Sequence, residues 1–194
     1  MTRLEKQMQF IRELDKVKEI TRQTYLADGS RKENDAEHSW HLAVMAALLA
    51  EYANEPIDVG HTMLMVLLHD VIEIDAGDTY AYDAAGNETK RARELVAADR
   101  IYALLPEDQA AYCRALWDEF EANETAEAKF ANTLDKVQPV LLNDASGGIS
   151  WKEHGVAKEQ IIRRNAHTPE GSEELWAYAK GLIEKNVEKG NILP

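Results

Sequence analysis

Disulfide chemistry is closed to this chain, because its 194 residues include one cysteine, Cys113. A lone thiol neither bridges nor builds a thiolate zinc set, which fits a reducing compartment. Its simplest reading is a small buried apolar side chain. Positive charge is also scarce. With 22 Lys and Arg against 35 Asp and Glu, the formal net charge is −13, which argues against a nucleic-acid backbone as partner, since that needs clustered cations. A small phosphate ligand stays open, because a metal and one or two placed Arg overcome a negative surface locally. Long apolar runs are missing as well. The longest, Leu42 to Ala50, is too short to cross a bilayer, and Met1-Thr2-Arg3-Leu4-Glu5-Lys6 has no signal core. The expectation is a cytoplasmic protein without membrane contact.

Several catalytic signatures are lacking too. There is no Gly-x-x-x-x-Gly-Lys, no His-Glu-x-x-His, and no nucleophile elbow around Ser39 or Ser150. A metal-activated water is therefore a better expectation than a side-chain nucleophile. No stretch alternates convincingly enough for a strand, and no repeat or low-complexity segment occurs.

What is present is helical periodicity, with a hydrophobic content of 45% that suffices for one globular core. Leu4, Met8, Ile11, Leu14 and Val17 mark an apolar face over residues 3–20. A polar segment from Thr21 to Asn34, with a turn at Asp28-Gly29-Ser30, separates it from a second helix. That helix is capped by Asn34 or Asp35 and runs from Ala36 to about Tyr52. A third begins at Asp58, and an irregular stretch from Asp75 to Asn87, with Tyr80, Tyr82 and Gly86, has the character of a substrate-contacting loop. Helices follow over 88–105, from Pro106 to about Glu121, and over 126–143, the last kinked at Pro139. Two more patterns cover about 155–166 and 172–188. The spacing predicts an all-α bundle in a single domain spanning 1–194. Trp117 and Phe120 read most simply as core.

The stretch with chemistry in it is Leu67-Leu68-His69-Asp70-Val71-Ile72-Glu73-Ile74-Asp75-Ala76-Gly77-Asp78. An apolar helix has no packing reason to end in so many ionisable groups, and buried charges demand partners or a metal. Glu73 follows His69 by four and Asp70 by three, so on a helix it shares their face. Gly77 permits a tight turn returning Asp78 toward them. His38, His69, Asp70 and Asp135 come from three separate helices and together offer two imidazoles and two carboxylates. That set suits one divalent ion such as Mn, Co, Fe, Ni or Zn better than Ca or Mg.

In several ordered blocks the chain resembles the HD-domain metal-dependent phosphohydrolases, and most of all their 5'-nucleotidase branch. The blocks are Arg31-Lys32-Glu33-Asn34-Asp35-Ala36-Glu37-His38-Ser39, Leu68 to Asp78, Leu104 to Asp108, Ala126 to Phe130 and Leu134-Asp135-Lys136. They fall within a core of about residues 8–145, against which helices over 155–188 would pack. The resemblance implies a helical bundle, often a homodimer, acting on nucleoside 5'-monophosphates. It implies His38, His69, Asp70 and Asp135 as metal ligands, Glu73 and Asp78 as catalytic carboxylates, and Arg22 as the contact to phosphate. Bacterial deoxynucleotidases of that branch carry Trp after this Arg, whereas Gln23 stands here, so sugar preference does not carry over. The extra His ligands of dinuclear relatives are missing between Asp70 and Asp135, because the six His are at 38, 41, 61, 69, 154 and 167. One metal per subunit is expected. Two other readings stay open: a related phosphohydrolase acting on a cyclic or signalling nucleotide, and a nucleotide-binding regulator without turnover.

Overall fold

A computed structural model describes residues 1–78 and 84–194. The fold is helical, as expected. In chain order its elements are α1 (Arg3–Leu14), β1 (Thr21–Tyr25), β2 (Lys32–Asn34), α2 (Asp35–Leu49), α3 (Val59–Leu68) and α4 (Glu73–Ala76). They continue with α5 (Ala84–Tyr102), α6 (Glu107–Ala122), α7 (Ala126–Ala145), α8 (Ile149–Glu153), α9 (Lys158–Arg164), α10 (Thr168–Gly171) and α11 (Glu173–Glu188).

The organising helix is α7. Thr125 caps it, its hydroxyl accepting from the Ala128 N–H at 3.1 Å. Phe130, Ala131 and Leu134 along it are fully buried. They join Leu42, Ala46, Met65, Val66, Ala179 and Ile183 in one core, which clamps α2, α3, α7 and α11 together. A second core gathers Phe10, Val17, Val71, Ile72, Ile101 and Trp117. The segment from Leu68 to Ala76 packs against both, which holds the charged end of α3 between two apolar masses. At α10 the approach to α7 is so close that a Cβ on Gly171 would lie 2.2 Å from the Lys129 carbonyl oxygen. Only glycine fits there.

Several expectations need correction. The apolar face read over residues 3–20 is covered only at its C-terminal end: Leu4, Met8 and Ile11 are 61%, 43% and 55% exposed, whereas Leu14 and Val17 join the second core. Polar ties explain this, since Arg3 pairs with Asp108 at 2.7 Å and Gln7 with Gln109 at 2.8 Å. They hold the start of α1 beside α6, where Phe10 buries while Leu4, Met8 and Ile11 stay exposed. The helix also ends at Leu14, and a 3-10 turn covers Asp15–Glu19. The polar segment contains strands after all. β1 pairs antiparallel with β2, Thr21 opposite Asn34 and Tyr25 opposite Lys32, around the anticipated Asp28-Gly29-Ser30 turn. The 75–87 stretch is not wholly irregular, because Asp75 and Ala76 belong to α4 and α5 already starts at Ala84. Tyr80 and Tyr82 lie outside the described residues. Trp151, between the helices expected over 126–143 and 155–166, is buried in α8.

Candidate metal centre and adjoining cavities

Local structure aims each donor. Asn34 caps α2, accepting from the Glu37 N–H at 2.9 Å while Glu37 returns to the Asn34 N–H. That fixes the first turn, puts His38 on the inward face and turns Glu37 outward to Arg31. His69 closes α3. Gly77, at φ +73°, makes the turn after α4 that a side-chain-bearing residue would resist.

Both imidazoles are held in one orientation. His69 Nδ1 donates to the Val66 carbonyl at 2.8 Å. His38 Nδ1 lies 3.1 Å from Gln138 Oε1, and the Gln138 amide nitrogen donates to Glu33 at 2.9 Å. Because that donation fixes the amide, the Gln138 oxygen is the acceptor and His38 Nδ1 bears the proton. Each Nε2 then faces the centre, that of His38 with its lone pair free. His38 Nε2 is 3.0 Å from Asp135 Oδ1 and 4.0 Å from Asp70 Oδ2. His69 Nε2 is 3.1 Å from Asp70 Oδ2 and 3.8 Å from Asp135 Oδ1, yet it is buried with no aligned hydrogen-bond partner. One ligand atom from each of His38, His69 and Asp135 falls within 4.8 Å of the others.

Two imidazole nitrogens and two carboxylates converging in a buried space call for positive charge, which Arg22 and Lys136 supply in part and a metal ion would complete. The orphaned His69 nitrogen and the mixed imidazole–carboxylate chemistry both fit a divalent transition metal. Among the described residues this is a His/His/Asp cluster able to hold a metal ion, with Asp70 alongside.

Arg22 reaches into the cluster from β1. Its guanidinium is 2.7 Å from Asp70, 3.1 Å from Asp35 and 4.0 Å from Asp135, and its Nε is buried without a partner. Electrostatics reflect the crowding. Burial lowers His38 to about 4, helped by the charge of Arg22. Burial works the same way on His69, but Asp70 and Asp135 outweigh it and push the ring up to about 10. Against the cost of burial, His69 and Arg22 hold the Asp70 carboxyl below its usual range. Asp135 is held low as well, by Lys136, His38 and His69. Glu73 moves the other way, well above the usual carboxylate range, through burial first and then the negative charge of Asp70, Asp35 and Asp78. Burial also raises Asp78.

These groups line a cavity of about 240 Å³ that includes Arg22, His69, Asp70, Glu73, Asp78 and Asp135, with Lys90, Lys136 and Arg164 at its edges. A smaller cavity of about 90 Å³ adjoins it and shares Arg22, Asp78, Lys136 and Arg164. All seven residues singled out in the sequence therefore meet here. Asp75 does not, because it faces Arg100 at 2.6 Å. Other residues were missed. Asp35 is fully buried against Arg22, although as a sequence it read only as a possible cap. Glu33 lay in a polar segment, and burial pushes it to about 7. Gln138 follows Asp135 by three, a same-face spacing that was available as a signal. Lys136 is half-buried and pairs with Asp135, and burial lowers the basicity of its amine against the pull of that carboxylate.

A model of the HD domain family matches residues 14–176. The human 5'-deoxynucleotidase HDDC2 is 31% identical over 135 residues, 69% of this chain and 65% of that protein. The fission-yeast 5'-deoxynucleotidase hdd1 is 28% identical over 133 residues, with 66% and 65% covered. The chain thus spans just under two thirds of the length of these curated relatives. A crystal structure from Magnetospirillum magnetotacticum, described as a predicted metal-dependent phosphohydrolase, superposes with a TM-score of 0.95 at 50% identity, covering 99% of this chain and 96% of that one. A conserved hypothetical protein from Pyrococcus furiosus shares the fold, with a TM-score of 0.60 at 22% identity over 93% of this chain and 99% of that one.

Proposed function

This chain belongs to the HD-domain family, and from that premise we propose that it is a metal-dependent phosphomonoesterase of the 5'-nucleotidase type. It hydrolyses nucleoside or deoxynucleoside 5'-monophosphates to nucleoside and inorganic phosphate. The observation carrying this reading is that Arg22 shares one point with His38, His69, Asp70 and Asp135. An anion receptor thus stands directly beside a metal-type donor set. The names of the human and fission-yeast relatives support the substrate class.

A single divalent ion held by His38, His69, Asp70 and Asp135 would supply Lewis acidity toward the phosphoryl group and acidify a water at the site. The remaining work belongs to the chain. Arg22 takes a phosphate oxygen in a charge-assisted contact. Lys136, Lys90 and Arg164, at the edges of the same cavity, offset the rest of the dianion's charge. Glu73 lines only the larger cavity and has an unpartnered buried Oε2, so it orients the attacking water. With the negative charge that, after burial, raises Glu73 offset by a cation beside Asp70, it receives the water's proton. Asp78 lines both cavities, so it stands between the phosphate and the alcohol esterified to it and is in position to deliver a proton to the leaving 5'-oxygen.

Phosphate release from a panel of ribo- and deoxyribonucleoside 5'-monophosphates tests this, using chelator-stripped protein resupplied with Mn or Co. Release that depends on the added metal is expected. Cleavage of a cyclic nucleotide but of no monoester would overturn the reading, as would nucleotide binding without any release.

A further inference from the structure

The smaller cavity contains a feature that the proposed chemistry does not use. Asn143, in the last turn of α7, lines it and is 6% exposed. Its side-chain nitrogen donates to the Pro139 carbonyl at 2.8 Å. That bond fixes which end of the amide is which and leaves Oδ1 as an acceptor. Oδ1 is buried and has no hydrogen-bond partner. A buried acceptor left unpaired is costly, and because Asn143 lines the cavity, its free acceptor points to a donor arriving from outside the chain.

The surroundings define that donor. Trp151, Val140 and Ile161 give the cavity an apolar side. Arg22, Asp78, Lys136 and Arg164 form the boundary with the larger cavity. A phosphate at that boundary places the alcohol it is esterified to in the smaller space. At about 90 Å³, that space is of pentose size rather than of nucleoside size.

We propose that this cavity seats the sugar of the leaving nucleoside, and that Asn143 Oδ1 accepts a hydrogen bond from its 3'-hydroxyl, making Asn143 a specificity-determining residue. This rests on the phosphomonoesterase reading for the placement of the phosphate. The acceptor and the cavity stand without it.

The test compares a 2'-deoxynucleoside 5'-monophosphate with its 2',3'-dideoxy counterpart, which lacks that hydroxyl. The parent protein should favour the deoxy substrate by about 10-fold or more in kcat/KM, since a site built to bond a hydroxyl rejects an analogue without one. Asn143→Leu, which loses the acceptor at similar volume, should bring the ratio near one. Asn143→Asp, which keeps an acceptor, should preserve the preference. The same pair is then measured as free nucleosides, deoxyadenosine against dideoxyadenosine, by calorimetric titration of metal-free protein. Asn143→Leu should weaken binding of the first and not of the second. No phosphate release from any monoester, with this binding difference intact, refutes the phosphomonoesterase reading and leaves the subsite standing. A deoxy-to-dideoxy ratio near one in the parent, or binding of neither nucleoside, overturns the subsite.

Discussion

Replacing Gln138 by Leu probes how the centre is held together without touching any of its donor atoms. Gln138 is fully buried. It receives the His38 Nδ1 proton at 3.1 Å and donates to Glu33 at 2.9 Å. Leu is close to Gln in volume, so the change removes hydrogen bonds rather than opening a cavity. Two buried groups lose partners, each at about 1–3 kcal/mol. Glu33, whose pKa burial raises to about 7, relieves part of its share by taking up a proton, which favours the low end. A total loss of about 2–4 kcal/mol lowers the melting temperature by about 4–16 °C for a chain of this size. The larger consequence is for the metal. Without the Gln138 oxygen, the His38 proton is free to move to Nε2, the atom facing Asp135 at 3.0 Å. A proton there competes directly with an ion. Groups that orient metal-binding His are worth about 10- to 100-fold in affinity. Titration of the stripped, folded variant with Mn or Co measures this. An affinity within twofold of the parent would refute the claim that Gln138 sets the His38 tautomer.

Three further changes probe other links. Glu73→Gln should lower kcat by about 10²-fold while leaving metal affinity within a few-fold, and a parental rate would remove Glu73 from the chemistry. The stability of metal-free protein should fall as pH rises from 6.5 to 8.5. Burial raises Glu33 and Asp35 to about 7, so the stability they cost accumulates from the ordinary carboxylate range up to about 7, and only the tail of that loss falls in this window. His69, pushed up to about 10, adds stability below its ordinary value that is lost as pH climbs toward 10. His38, lowered to about 4, opposes these only below its ordinary value, outside the window. Urea midpoints that stay flat or rise across that range would contradict the raised pKa of His69, which carries the larger share of the fall there. Finally, Gly171→Ala forces a Cβ to 2.2 Å from a backbone oxygen of α7. It should cost about 1–3 kcal/mol as overpacking, read by thermal melts, and an unchanged melting temperature would show that α10 does not sit so close.

The donors were legible because their residue types are out of place in apolar helices. His69-Asp70 ends a run that packing alone would have continued with apolar residues, and Asp135 interrupts the buried stripe of α7. Periodicity fixes faces, so Glu73 could be placed with His69 and Asp70 before any coordinates. It does not say which face is covered. The apolar face over residues 3–20 shows this, with Leu4, Met8 and Ile11 exposed while Val17 is buried: which part is covered depends on neighbours distant in sequence, such as Asp108 and Gln109 beside Arg3 and Gln7. The strand of Arg22 was hidden for a related reason. Thr21–Tyr25 has no alternation of its own, and tertiary context decides such segments. Its position follows from the buried acids Asp35 and Asp70 that Arg22 must meet. Asp35 and Gln138 escaped notice because a cap residue and a mid-helix amide look ordinary until their burial is known.

The central claim is that His38, His69, Asp70 and Asp135 grip one ion, and counting bound metal tests it most directly. Chelator-stripped protein is equilibrated with Mn or Co, freed of excess by gel filtration and assayed for metal by mass spectrometry. The account predicts one ion per chain in the parent and none in His38→Ala or Asp135→Ala. Retention of the ion in both variants would contradict it, as would two ions or none in the parent.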